Sequence, residues 1–167
     1  MKFVAKAIFL TSILGLAACT DAGRFGDDVY LNGGGAGVAG SADDPTSPLY
    51  FQQAVGDRVF FAVDQSTLSG DAQLTLDGQA EWMMTNTDYT AIIEGHADEQ
   101  GTREYNLALG ARRANAVQEY LISRGVAPNR LKVVSYGKER PIEICSQEAC
   151  YSKNRRAVTI LSAGLSS

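Results

Sequence analysis

Apolar positions along this chain fall into short runs and helical stripes that alternate. From Val59 to Val63 the sequence reads Val-Phe-Phe-Ala-Val, a compact β-branched and aromatic run that predicts a buried strand. Beyond Ser69, the residues Ala72, Leu76, Ala80 and Met83 recur at helical spacing, with Ser69 placed to cap and Asp71 suited to the first turn. Trp82 and the Met83-Met84 pair are assigned to the core or its rim. Thr90 to Glu94 predicts a second strand. The helix after it carries Leu107, Ala114, Val117 and Leu121 on one face, with Gly110 on the same side allowing close approach to a sheet. Gly125 and Pro128 punctuate its end. Leu131 to Tyr136 and Ala157 to Leu161 supply two more strands, near enough in sequence to pair antiparallel. Strand, helix, strand, helix, strand, strand predicts an α/β fold: an α+β two-layer sandwich with a mixed four-stranded sheet and both main helices on one side.

The first fifty residues follow a different pattern. Lys2 and Lys6 precede an apolar run from Ala7 to Leu16 that is too short to cross a bilayer as a helix, and small residues follow it. Residues 1–18 are therefore read as a signal peptide. The junction Leu16-Ala17-Ala18-Cys19 resembles the bacterial lipobox, in which the cysteine is lipidated and becomes the first residue of the mature chain. Several acyl chains on Cys19 would give the stable anchoring that one chain does not. Residues 19–53 are rich in Gly, Ala, Ser and Asp with no helical or strand period, so a flexible tether is expected there, with a reach on the order of 30 Å. Gly33-Gly34-Gly35 is no phosphate loop, since no Gly-Lys-Ser/Thr follows. The folded domain is assigned to residues 54–163.

Composition narrows the function. A chain of 167 residues, 45% hydrophobic and 20% charged, fits one globular domain plus extensions. The formal charge of −4 becomes more negative once Lys2 and Lys6 are removed, which disfavours nucleic acid as a partner. Arg112, Arg113, Arg155 and Arg156 suit a small anionic group better than a polyanion.

Candidate chemistry concentrates between Ile92 and Val117, in the turn Glu94-Gly95-His96-Ala97-Asp98-Glu99-Gln100-Gly101-Thr102 and the helix after it. Thr102 is placed to cap that helix, whose free amides favour an anion. Asn106 and Arg113, seven residues apart, share a stripe that is not the apolar one. Asp98, Asn106 and Arg113 can thus meet at one shallow cleft. An acid beside a guanidinium reads a small zwitterion, the carboxylate taking an ammonium and the fork a carboxylate. A salt bridge pinning turn to helix accounts for the same residues equally well. His96 is assigned a hydrogen-bonded structural place. His96 and Asp98 with Cys145 and Cys150 lack a zinc spacing, so no metal is expected. Glu94 and Asp98 do not form a glycosidase pair, and no hydrolase motif is present, so no catalysis and no cofactor are expected. Cys145 and Cys150 close a small loop and are expected to form a disulfide in an oxidising compartment, worth roughly 2 kcal/mol.

The segment Glu94–Val117, together with Val134-Ser135-Tyr136-Gly137-Lys138-Glu139-Arg140-Pro141 and Ser152-Lys153-Asn154-Arg155-Arg156-Ala157-Val158, closely resembles the OmpA-like peptidoglycan-binding domains, and among them the peptidoglycan-associated lipoproteins. The likeness runs from about Val59 to Leu161. It implies non-covalent binding of the meso-diaminopimelate of the peptidoglycan stem, with Asp98 on the ammonium, Arg113 on the carboxylate and Asn106 alongside. It adds Asp64 and Arg155 as further walls of the cleft. It also implies a lipid-anchored outer-membrane protein facing the periplasm, favoured by Thr20 where aspartate marks inner-membrane retention. Membership of the Tol-Pal system, with TolB and other Tol proteins as partners and a part in division, follows from the same likeness. The alternatives are a peptidoglycan-processing enzyme or accessory, or the wall anchor of a secretion or motor complex. Four positions depart from the wider family's pattern, one of them Ala97 in place of a threonine. Ala62 replaces an aspartate, Val63 an aromatic residue, and Gln100 a basic one.

Overall fold

The computed structural model describes residues 40–163. The signal peptide, Cys19 and the tether up to residue 39 lie outside the described residues.

Two capped helices lie on one face of the sheet. Helix α2 (Gly70–Thr85) opens where Ser69 Oγ accepts a hydrogen bond from the Ala72 N–H at 3.2 Å, as its sequence predicts. Helix α3 (Arg103–Ser123) opens where Thr102 Oγ1 accepts from the Tyr105 N–H at 3.2 Å. The strands are β1 (Arg58–Phe60), β2 (Tyr89–His96), β3 (Leu131–Gly137) and β4 (Arg156–Ala163), in the order β1-β4-β2-β3. Leu76, Met83, Ile93, Ala114, Val117 and Leu121 are fully buried where the helices meet the sheet. This is the mixed four-stranded sheet with two main helices on one side that the pattern predicts.

The strand pairing differs from expectation. β3 and β4 do not pair. β4 lies between β1 and β2 and pairs antiparallel with both, with Ile92 opposite Ile160, while β3 pairs parallel with β2. The crossover through α3 makes β2 and β3 parallel neighbours and leaves the other edge of β2 open. The segment from Lys138 to Arg155, which includes a further helix α4 (Glu148–Asn154), is long enough to carry the chain to that open edge.

Three local readings also change. Leu107 is 45% exposed, whereas Gly110, Ala114, Val117 and Leu121 are on the buried face as expected, joined there by Leu109 and Arg113. Met84 is exposed while Met83 is buried. The tether expected to run to residue 53 gives way to packed structure earlier. Helix α1 (Pro48–Tyr50), capped by Ser47, continues as a π-helical segment over Phe51–Gly56. Phe51 is 1% exposed and meets Trp82 edge-on at 5.0 Å between ring centroids, and Trp82 Nε1 donates to the Pro45 carbonyl at 2.8 Å. The sequence signal for this was Ser47-Pro48, an N-cap followed by proline at the first helical position.

Helix α3 sits unusually close to β2. A Cβ built on Gly95 would stand 1.8 Å from the Gly110 carbonyl oxygen, so the two glycines form one backbone-to-backbone contact.

Candidate functional site

The polar turn after β2 is held from several sides. The Ala97 N–H donates to the Gly137 carbonyl at 2.8 Å, extending the β2–β3 contact into the turn. Lys138 Nζ donates to the carbonyls of Gly101 at 2.7 Å and Glu99 at 3.3 Å. Asn106 Nδ2 donates to the Gln100 carbonyl at 2.7 Å, and the Gln100 N–H donates to Asp98 Oδ1 at 3.2 Å. Gly101 has φ +92°, a left-handed conformation that suits glycine. The turn's backbone is thus held by one strand-to-turn bond and by the side chains of Asp98, Asn106 and Lys138.

Beside it opens a cleft of about 290 Å³, lined by Val63, Asp64, Asp98, Gln100, Tyr105 and Asn106 among others. Asp64 stands where the chain turns after β1, at φ +56°, and accepts a hydrogen bond from the Tyr105 hydroxyl. Asp98 comes from the far end of β2 and shows only its edge, at 8% exposure. Two carboxylates from segments far apart in sequence therefore face one small space, which suits a cationic ligand group.

The two arginines stand behind this space. Arg155 Nη1 donates to Asp98 Oδ2 at 3.2 Å, Nε donates to the Phe61 carbonyl at 3.1 Å, and the Nη1 and Nη2 edge meets Glu148. Arg113 is fully buried. Its Nε donates to the Gln65 carbonyl at 2.8 Å, Nη1 to the His96 carbonyl at 2.8 Å and Nη2 to the Ala62 carbonyl at 3.1 Å, with the guanidinium 5.2 Å from the Phe61 ring centroid. Burial pushes its pKa down to about 10, opposed by Asp98 and Asp64 and reinforced by Arg155. The stripe of Asn106 and Arg113, expected to be open and polar, is therefore buried with its polar groups satisfied by backbone. Its guanidinium stitches the loop after β1 to the end of β2.

Of the five candidate residues, Asp64, Asp98 and Asn106 line the cleft together. Arg113 and Arg155 adjoin it without lining it. Sequence reading passed over Tyr105, Lys138 and Glu148. Tyr105 had a readable signal, one residue before Asn106 in the first turn of α3. Glu148 had one too, as an acid between the two cysteines. Those cysteines are joined as a disulfide, Cys145–Cys150, with Cα atoms 5.9 Å apart.

The comparisons bear on the whole domain. The OmpA family matches residues 60–155. A peptidoglycan-associated lipoprotein of Mesorhizobium japonicum is 50% identical over 157 residues, which are 93% of this chain and 90% of that protein. One of Rhizobium meliloti is 51% identical over 154 residues, 92% of this chain and 85% of its own length. The chain belongs to the peptidoglycan-associated lipoproteins of the OmpA family. The crystal structure of the peptidoglycan-associated lipoprotein from Burkholderia pseudomallei is similar to this chain with a TM-score of 0.65 at 36% identity, over 72% of this chain and 98% of that one. The C-terminal domain of Helicobacter pylori MotB gives a TM-score of 0.61 at 25% identity, over 65% and 86% respectively.

Ala62 and His96 each take a local role set by their surroundings. Ala62, where the family pattern has an acid, takes part through its carbonyl, which accepts from Arg113. His96 is buried beneath the turn, stacked on Tyr136 at 5.6 Å, and neither ring nitrogen has a hydrogen-bond partner. Its nearest acid, Glu94, lies at 3.6 Å. The hydrogen-bonded role expected for His96 is not what the structure shows. Its ring instead serves as packing.

Burial, with Arg156 and Arg140 nearby, pushes the His96 pKa down from 6.5 to about 4. As pH falls, the unfolded chain takes up this proton first. The contribution to stability is therefore complete above about pH 6.5 and is lost as pH falls toward 4, by about 3 kcal/mol. Urea midpoints measured from pH 7 to pH 4 are expected to show this decline, and His96→Phe is expected to flatten it.

Proposed function

We propose that this chain is a lipid-anchored outer-membrane protein that binds peptidoglycan non-covalently through the meso-diaminopimelate of the stem peptide. It tethers the outer membrane to the cell wall from the periplasmic side and acts within the Tol-Pal system, with TolB among its partners. It holds the wall and does not cut it.

The observation that carries this reading is the convergence of Asp64 and Asp98 on one cleft at the start of α3. Two acids at the mouth of a small space favour an ammonium group, and diaminopimelate presents one on a side chain beside a carboxylate. Arg113 and Arg155 contribute positive charge from beside the acids. The ligand carboxylate is therefore met by a field set in place by buried groups. The relatives named peptidoglycan-associated lipoproteins support the ligand class, and the Cys19 junction supports the anchor.

Co-sedimentation of the soluble domain with purified sacculi tests this. Asp98→Asn keeps the acceptor for the Gln100 N–H and removes the charge, and it is expected to weaken binding at least about tenfold. Free meso-diaminopimelate is expected to compete, with no soluble fragments released. Undiminished binding by Asp98→Asn, or release of fragments, overturns the reading.

A further inference from the structure

The loop closed by Cys145 and Cys150, with Tyr151 just after it, reaches the turn that bears Asp98 through two hydrogen bonds and one relay. Ser146 Oγ donates to Glu99 Oε1 at 3.3 Å, and the Tyr151 hydroxyl donates to the same oxygen at 2.9 Å. Glu148, inside the disulfide ring, meets Arg155, which in turn meets Asp98. The geometry of that last relay is unequal. Arg155 gives Glu148 both terminal nitrogens, Nη1 and Nη2, whereas Asp98 receives a single bond from Nη1 at 3.2 Å. A guanidinium satisfied in a two-point fork by one carboxylate is a weaker competitor for a second.

We infer that Glu148, held in place by the Cys145–Cys150 disulfide, is a positioning residue that draws Arg155 away from Asp98 and so leaves the Asp98 carboxylate available to the ligand ammonium. Arg155 is 4% exposed and tied through Nε to the Phe61 carbonyl, so it cannot swing into solvent when Glu148 is lost. Its remaining donors then turn to Asp98, the only other acid it meets among the described residues. Asp98 becomes fully committed to an internal ion pair, and ligand binding competes against that pair. The disulfide matters because Glu148 is otherwise an exposed side chain at the start of α4, a helix too short to hold its own position. Closing the ring between residues 145 and 150 restricts the segment that carries it.

The inference rests on the cleft being the wall-binding site proposed above. Affinity for sacculi and for free meso-diaminopimelate is measured for the oxidised wild-type domain, for Glu148→Gln, for Glu148→Asp, and for the Cys145→Ser/Cys150→Ser pair. Glu148→Gln is expected to weaken both about tenfold with little change in melting midpoint, because the side chain is on the surface. Glu148→Asp, which keeps the charge, is expected to recover most of that loss, which a merely structural role for the side chain would not require. The double serine variant is expected to weaken binding in the same direction, and adding Glu148→Gln to it is expected to cost less than in the wild type. Wild-type affinity in Glu148→Gln overturns the inference while leaving the binding site intact. Equal losses from Glu148→Gln with and without the disulfide overturn the link to the ring. A wild-type domain that binds neither sacculi nor the free amino acid overturns the site itself, and the inference with it.

Discussion

Replacing Arg113 by methionine is expected to lower the unfolding free energy by about 3–5 kcal/mol, more than its loss as a ligand contact would suggest. The side chain is wholly enclosed, and its planar fork ties the carbonyls of Ala62, Gln65 and His96 together. Methionine fills much of the volume but leaves three buried acceptors short of a donor, each carrying a desolvation penalty of about 1–3 kcal/mol if water does not replace the guanidinium. Arg113→Lys is expected to be nearly as damaging, because a single ammonium cannot span three carbonyls arranged for a fork. Domains of this size have only about 5–15 kcal/mol of stability, so the variant should unfold at clearly lower denaturant concentration. Denaturant midpoints decide the matter. If Arg113 served the ligand alone, the midpoint would stay put while sacculus binding vanished.

The second large effect lies where β2 meets α3. Gly95→Ala puts a methyl group 1.8 Å from the Gly110 carbonyl oxygen and 2.6 Å from its carbon, both backbone atoms that no rotamer change can move. Either α3 lifts off the sheet or β2 bends, and both disturb the buried Ile93, Ala114 and Val117. The expected cost is on the order of 4 kcal/mol, at the upper end for overpacking. Gly110→Ala meets Ser135 Oγ at 2.5 Å and the Gly95 carbonyl at 2.8 Å. Part of that clash is with a side chain that can rotate, so Gly110→Ala is expected to be the milder of the two by denaturant titration. Because β2 leads directly into the Asp98 turn, Gly95→Ala should also weaken wall binding.

These two cases show which parts of the molecule could be read from its sequence. Local signals with short-range causes were legible: Ser69 and Thr102 as caps, Gly110 as a point of close approach, and the apolar positions of α2. Asp98 and Asn106 around the turn were legible as well, since a strand end and a helix start place them by local geometry, whereas Asp64 came only from the family resemblance. What depended on distant segments was not. Arg113 has a polar side chain on a helix, and only the carbonyls of residues 62, 65 and 96 make it a buried residue. The insertion of β4 between β1 and β2 follows from which strand edge stays open, a property of the assembled sheet. Phe51 lies in a glycine-rich and polar stretch, and its burial depends on Trp82, thirty-one residues later.

The packing of residues 45–56 against α2 determines how a pull from the N-terminal side would enter the domain. Load arriving from the N-terminal side reaches the Pro45 carbonyl bonded to Trp82 and the Phe51 ring before it reaches β1. β1 is only three residues long and sits at the sheet's edge, where a ladder peels one bond at a time. The aromatic clamp therefore lies ahead of that edge along the chain. Its two contacts, the Trp82–Pro45 hydrogen bond and the Phe51–Trp82 ring pair, would have to give way before the first rung of β1 is loaded.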